Sequence, residues 1–419
     1  MRGRHRNLRR AFVRKRLGVV LVAAALAATA CSPDPDADSA DASGGDQPYR
    51  IVQLVGLSQP GPSALNAQAA SEGVKAAVAV LNSKGGILGR KVELEIIDEG
   101  GNPTTAVTKL QERLAKGPKP NLVLPGNTSA EALPMAPILT EAEIFSVQQA
   151  SASALDDPAK FPYLFKTPPV PETWAKSLAD YAKSKGATKI AMIAGKDAFA
   201  QATAEATRKA IADAGLTLSG DETYTAEDLD VTAQLERLRA TKPDLLFMQG
   251  AGASVGYVLQ SRLKIGWTDI PLVADSTSAT TSLLNHGAPD GLVGTPAAQN
   301  VSVQIVSAAV KGHQGANPGS LDTMITALKK EGEIKLPLNV YYAYDAVMLA
   351  AKAAEKAGTI TDAKAEAKAL ETFTPQETGL WALGKYTFTA TSHGPAVDVS
   401  SVAIIPAAVL TEGQYATAS

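Results

Sequence analysis

From Ile51 onward the chain repeats one pattern, an apolar strand followed by a helix with apolar side chains at helical spacing. This alternation restricts the fold more than any other feature of the sequence. Its clearest unit begins with a helix from about Ala64 to Leu81, in which Val74, Val78 and Leu81 fall on one face. Gly85 and Gly86 supply the left-handed stop that ends a helix. Val92, Leu94 and Ile96 then alternate with charged residues, the period-two pattern of a strand with one buried face.

The same alternation continues on both sides of this unit. A strand at Ile51 to Val55 precedes it, and the following elements are a helix over Thr104 to Ala115, a strand Leu122 to Leu124, a helix Ala130 to Glu141 and a strand Ile144 to Val147. After the proline cluster Pro168, Pro169 and Pro171 a second series opens with a helix at Trp174 to Ser184. It continues through strands at Lys189 to Ile193, Thr217 to Ser219, Leu245 to Met248 and Leu272 to Ala274, with helices at Ala200 to Ala214, Ala233 to Ala240 and Ser254 to Lys264 between them. Strand–helix alternation implies parallel sheets covered on both faces. The fold class expected is therefore α/β, two doubly wound parallel-sheet lobes around a cleft. The remainder carries a long helix at Tyr341 to Lys356 and two late strands, Lys385 to Phe388 and Val402 to Ile405. The expected division is a first lobe over 49–168 and 295–394, and a second lobe over 169–294 that regains its last strand, with a C-terminal tail, from 395–419.

The N-terminal region reads differently. Residues 1–30 hold seven Arg, one Lys and no acid, and an apolar run from Leu17 to Ala30 leads to Cys31, the single cysteine. The run is shorter than the roughly 20 residues of a comfortable membrane span. The segment reads as a secretory signal peptide. Leu26-Ala27-Ala28-Thr29-Ala30-Cys31-Ser32 resembles a bacterial lipobox, which would make Cys31 the lipidated first residue of the mature protein. The other reading is an A-x-A cleavage site at Ala28-Thr29-Ala30 with Cys31 as a spare thiol. Arg9-Arg10 resembles a twin-arginine signal, which leaves the export route open. Residues 31–48 are acidic and small, a flexible tether. Without residues 1–30 the chain has 32 basic residues against 42 acidic ones, so it offers no basic stripe to nucleic acid.

Two enzyme patterns overlap at 250–256. Gly252-Ala253-Ser254-Val255-Gly256 fits the G-x-S-x-G elbow of serine hydrolases, after a strand and opening a helix. The four histidines, His5, His286, His313 and His393, stand in no context that sets one beside Ser254, and a hydrolase using Ser254 is a distant alternative. Gly250-Ala251-Gly252 with Asp275 after the next strand looks like a loose dinucleotide loop, but the spacing is G-x-G-x-x-x-G and the strand is not the first of its lobe. Glycines at a strand-to-helix turn serve the tight chain reversal equally well. No H-x-x-x-H or C-x-x-C spacing suggests a metal, and no cofactor is expected.

Glu72 to Leu94, with Asn82-Ser83-Lys84-Gly85-Gly86-Ile87-Leu88-Gly89 at its centre, resembles the signature of the branched-chain amino acid (Leu/Ile/Val-binding-like) periplasmic solute-binding proteins that serve ABC importers. Asp98, Glu99, Gly101, Asn102 and Pro103 continue it, as do Phe161 to Thr167, Ser261 to Gly266, Asp290 to Thr295 and Tyr344 to Val347. The resemblance implies a type I periplasmic-binding fold with three hinge crossings, closing on a small organic solute such as an amino acid, amide or small carboxylate. It also implies no enzymatic activity, a monomer, an ABC permease as partner, and a place on the outer face of the cytoplasmic membrane, held there only by the lipid on Cys31. A sensory lipoprotein of the same fold is the alternative. Residues matching the family's ligand contacts are Asn127, Ser129, Gln149, Ala150 and Ser151 in the first lobe. In the second lobe the matching positions are Phe199, Ala251, Asp275 and Ser276, where the chain departs from the family pattern and lacks two hydroxyls and an aromatic ring. Trp174, just after the crossing, is placed either to stack on a ligand or to pack the hinge.

Overall fold

The computed structural model describes residues 47–60, 63–196, 198–225, 227–250, 252–312, 318–374, 386–397 and 399–416. The segment read as a signal peptide, Cys31 and most of the segment read as a tether lie outside these residues. The first series comprises β1 (Tyr49–Val55), α1 (Ser63–Ser83), β2 (Val92–Asp98), α2 (Pro103–Lys116), β3 (Leu122–Pro125), α3 (Ser129–Glu141), β4 (Phe145–Gln148) and β5 (Leu164–Lys166). Its strands form one parallel sheet in the order β2-β1-β3-β4-β5. The second series comprises α4 (Pro171–Ser184), β6 (Lys189–Gly195), α5 (Ala198–Asp213), β7 (Thr217–Tyr224), α6 (Thr232–Ala240), β8 (Leu245–Gln249), α7 (Ser254–Lys264), β9 (Leu272–Ala274), α8 (Ser276–Ala279) and α9 (Ser282–Asn285).

The second sheet continues beyond this series. β10 (Val301–Val306) pairs parallel with β9, and the late strand Val402–Pro406 pairs antiparallel with β10. The assignment of 295–394 to the first lobe is therefore corrected: residues 301–306 belong to the second sheet. Val301, Val303 and Ile305 are buried in it, and the Gln304 amide donates to the Trp174 carbonyl and the Ser177 hydroxyl of α4, both at 2.9 Å. A strand's partner is a non-local choice that its own alternation does not reveal.

Between β10 and that late strand lie α10 (Pro318–Glu331), α11 (Pro337–Ala357), α12 (Ala363–Glu371) and a hairpin of β11 (Thr387–Thr389) and β12 (Ser392–Ala396), so Val402–Pro406 is β13. α10 and α11 pack against α1 of the first lobe. The chain thus crosses between lobes after β5, after β10 and before β13. A final hairpin, β14 (Leu410–Thr411) and β15 (Gln414–Tyr415), touches both lobes. The Tyr415 hydroxyl donates to the Ala279 carbonyl of α8 at 2.7 Å, and the Tyr341 hydroxyl of α11 donates to the Gly413 carbonyl at 2.9 Å.

Both faces of each sheet are buried. On β1, Ile51 joins the main core with α1 and α11, while Val52 and Leu54 point into a separate cluster with Ala106 and Leu110 of α2. The main core runs without a break into the second lobe through Ala191, Ile193 and Met248. α1 and α11 approach closely within it. α1 presents Ala69, Ala70, Gly73, Val74, Ala76 and Ala77 as buried residues, and small side chains allow close helix approach. A Cβ at Gly73 would stand 2.3 Å from the Val340 carbonyl oxygen and 2.9 Å from the Ala343 Cβ. At the far end of α1 the glycine stop is observed: Gly85 and Gly86 have φ of +96° and +83°.

Because backbone rather than a flexible side chain opposes it, Gly73→Ala is expected to lower unfolding stability by about 1–3 kcal/mol. Urea denaturation with an unchanged m-value checks it.

Candidate ligand site

In the first lobe the chain turns from β3 into α3 through Gly126 (φ +71°), where a Cβ would lie 2.6 Å from that of Glu131. Thr128 caps α3 in a reciprocal capping box with Glu131. The Glu131 carboxylate, 2% exposed, accepts from the Asn127 and Thr128 amides at 3.0 and 3.1 Å. Ser129 begins α3, and its hydroxyl accepts from the Ala152 amide at 3.1 Å. This bond joins the β3–α3 loop to the loop after β4, so Asn127, Ser129, Gln149, Ala150 and Ser151 stand in two linked loops beyond adjacent strand ends. Accepting from Ala152 leaves the Ser129 proton to donate outward.

The second of these loops is held from beneath by Lys166, whose side chain is fully buried. Its ammonium donates to the carbonyls of Ser151 and Ala152 at 3.1 and 3.2 Å and pairs with the Asp156 carboxylate at 2.5 Å. Burial lowers the Lys166 pKa and Asp156 opposes that shift. Lys166 ends β5, and the next residue, Thr167, donates from its amide to the Gln148 carbonyl where the chain crosses to the second lobe.

Several polar atoms at the ends of these strands are buried without a hydrogen-bond partner: the side-chain oxygens of Asn127 and Gln149, both amide atoms of Gln148, and one oxygen of Glu99. Buried polar atoms left unpaired in a folded protein call for an explanation such as a bound group. Burial and then the nearby Glu131 carboxylate push the Glu99 carboxyl up to about 7.

In the second lobe Asp275 is buried and caps α8. Its carboxylate accepts from the Ser278 amide and hydroxyl, at 2.9 and 2.6 Å, and from the Gly250 amide at 3.4 Å. Ser276 follows it, also buried. A Cβ at Gly250 would stand 2.1 Å from the Tyr224 hydroxyl, and Gly252 has φ of +60°, so packing and backbone geometry account for these two glycines. Trp174 is 7% exposed and belongs to the main core. Phe199 lies in the first turn of α5 with its side chain outside the described residues, and Ala251 lies outside them as well.

A cavity of about 1150 Å³ is walled by α1 of the first lobe and by α7, α8 and α9 of the second. None of the sequence-derived site residues lines it, although Gly252 and Thr277 border their neighbours Ala251 and Ser276. Leu65, Ala69 and Glu72 of α1 and Tyr257 of α7 were not anticipated. Their signal was the spacing of Leu65, Ala69 and Glu72, four and three residues apart, a second stripe beside the core face of α1. Among the described residues no group of three or more His, Cys, Asp or Glu could hold a metal, and no helix is long and apolar enough to cross a membrane.

Two α/β sheets with linked loops at strand ends and a cavity between lobes define a ligand-binding protein of the periplasmic type. The chain belongs to the periplasmic binding protein family, whose model matches residues 48–405. Leu/Ile/Val-binding protein homolog 3 of Brucella melitensis is 27% identical over 342 residues, 81% of this chain and 88% of that protein. Among solved structures, a type 1 periplasmic binding protein of Bordetella pertussis superposes with a TM-score of 0.69 at 18% identity, covering 86% of this chain and 96% of its own. The branched-chain amino acid substrate-binding protein LivJ of Streptococcus pneumoniae, solved with isoleucine, gives 0.66 at 19% identity over 88% of this chain and 98% of its own. The fold is the two-lobed type I form, the protein is a binding protein and not an enzyme, and the family places it outside the cytoplasm.

Lys166→Met leaves Asp156 as an uncompensated, largely buried charge and is expected to cost about 3 kcal/mol. Double-mutant denaturation with Asp156→Asn should recover part of that loss. Glu99 titrates near 7 in the folded chain but near 4.5 when unfolded, so the folded form holds the extra proton between these values. Its contribution is complete below about 4.5 and is lost as pH rises to 7. Glu99→Gln should therefore flatten the decline in melting temperature over that window while leaving the acid end nearly unchanged.

Proposed function

We propose that the protein captures a small organic solute, an amino acid, amide or small carboxylate, and delivers it to an ABC permease. The observation carrying this reading is the Ser129–Ala152 bond, which draws two loops together at the ends of β3 and β4 beside unpartnered buried acceptors. Ligand sites in open α/β sheets lie beyond the carboxyl ends of the strands. The Ser129 hydroxyl suits an acceptor group of the solute. The names of the relatives, which speak of Leu/Ile/Val binding and amino acid transport, support the same solute class. Closure follows if the solute contacts both lobes at once, since only the closed state then makes both sets of contacts. The lipobox-like segment supports export as a lipoprotein through Cys31, with the acidic tether giving the lobes reach from the membrane surface. Function as a monomer suits this role. The division into lobes at 168, 294 and 394 is retained as a proposal, with residues 301–306 moved to the second lobe.

A thermal-shift screen over amino acids, amides and small carboxylates should reveal one stabilising class, because binding to the folded state alone raises stability. No shift with any of them would overturn the reading. Ser129→Ala is expected to weaken the bound solute by about tenfold, the worth of one hydrogen bond to a charged group, as read by titration calorimetry. Cys31→Ser should move the protein from the membrane fraction to the soluble one.

A further inference from the structure

The cavity between the lobes is larger than a branched aliphatic amino acid needs and differs from the strand-end loops in chemistry. At about 1150 Å³ it lies just above the range of sites that enclose drug-sized ligands, roughly 300–1,000 Å³. Its wall is largely apolar, with Leu65 and Ala69 on α1, Leu283 on α9 and Leu292 after it. Against this surface stand two carboxylates, Glu72 and Glu331, neither with a hydrogen-bond or ion-pair partner among the described residues. Glu72 is half-buried, and its carboxyl is raised first by burial. Lys75 and Lys335 offset this and Glu331 adds to it. Lys335 is within 3.7 Å of Glu333, so the acids on this wall outnumber the cations. A half-buried carboxylate beside apolar surface gains most from a cation that arrives with an apolar stem, which covers the leucines while the charge is neutralised.

The position of Glu72 sets the length of such a ligand. α1 follows the carboxyl end of β1, whose Leu54 carbonyl accepts from the Gly126 amide of the β3–α3 turn at 2.9 Å beside the proposed head site, and Asn66 in its first turns borders the cavity. At 1.5 Å per residue, Glu72 lies about 9 Å further along the helix from Asn66. We infer that the cavity receives the extended arm of the solute, an alkyl stem ending in a cation that pairs with Glu72, so that the preferred substrates are basic amino acids or linear amines of similar reach. The inference rests on the solute-binding reading and narrows it. Leucine or isoleucine would leave the arm of the site filled with water and Glu72 unpaired.

The test uses full-length protein and titration calorimetry with L-arginine, agmatine, L-citrulline and L-leucine. Citrulline keeps the arginine stem and removes its charge. Arginine or agmatine is expected to bind at least tenfold more tightly than citrulline and leucine, with an affinity that falls as salt rises. Glu72→Gln should reduce the arginine-to-citrulline ratio to about two or three and leave leucine unchanged. The exposed Glu331→Gln, which disturbs no core, should lower the same ratio by a smaller factor. Tighter binding of leucine or isoleucine than of arginine would overturn the inference and leave the solute-binding function standing. An arginine-to-citrulline ratio untouched by both substitutions would overturn the role of Glu72. Only the absence of binding by every solute class would remove the function itself.

Discussion

One buried ammonium ties together the parts of the first lobe that frame the proposed site. Lys166 sits at the end of β5, where the chain leaves for the second lobe, and reaches back to the carbonyls of the loop that follows β4. Its counter-charge, Asp156, also accepts the His393 backbone amide through its carbonyl, and a Cβ at Gly394 would stand 2.6 Å from its carboxylate. Crossing segment, site loop and late hairpin therefore share one electrostatic centre. Removing a lysine from water costs several kcal/mol, and only three acceptors at hydrogen-bond distance offset it. A loop fastened in this way moves as part of its lobe.

The strand-end loops of the two lobes are organised by different means. In the first lobe a capping box, a buried glutamate and the Ser129–Ala152 bond fix the loops, and unpartnered acceptors remain at the strand ends. In the second lobe Asp275 uses its carboxylate to fasten its own loop to the Gly250 turn. That lobe also leaves both amide atoms of Gln249 unpartnered at the end of β8 and turns Gln260, Thr277 and Thr281 toward the cavity.

Much of this was legible in the sequence wherever the cause was local. α7 and β9 occur with the bounds that periodicity indicates, and the helix, glycine turn and strand at 63–98 follow from side-chain spacing and two positive-φ glycines. β10 has no counterpart among the strands read from the sequence, and its place in the second sheet depends on partners elsewhere in the chain. Lys166 could be noted only as one residue of a resembling segment, since a lone lysine in sequence reads as surface. Glu72 belongs to the most recognisable stretch of the chain, yet its neighbour across the cavity is some 200 residues away on α7, beyond the reach of helical spacing. Trp174, open to two readings, is buried in the core.

The C-terminal hairpin has a mechanical consequence. β14 and β15 hold Ala279 in the second lobe through Tyr415 and are held by Tyr341 of the first lobe through Gly413. Any swing that parts α8 from α11 must stretch or exchange one of these two buried hydroxyl bonds. The hairpin thus acts as a strap laid against the crossing that follows β10, where the Lys311 amide donates to the Tyr415 carbonyl at 2.8 Å, and it gives lobe separation a defined first yield point instead of a gradual slope.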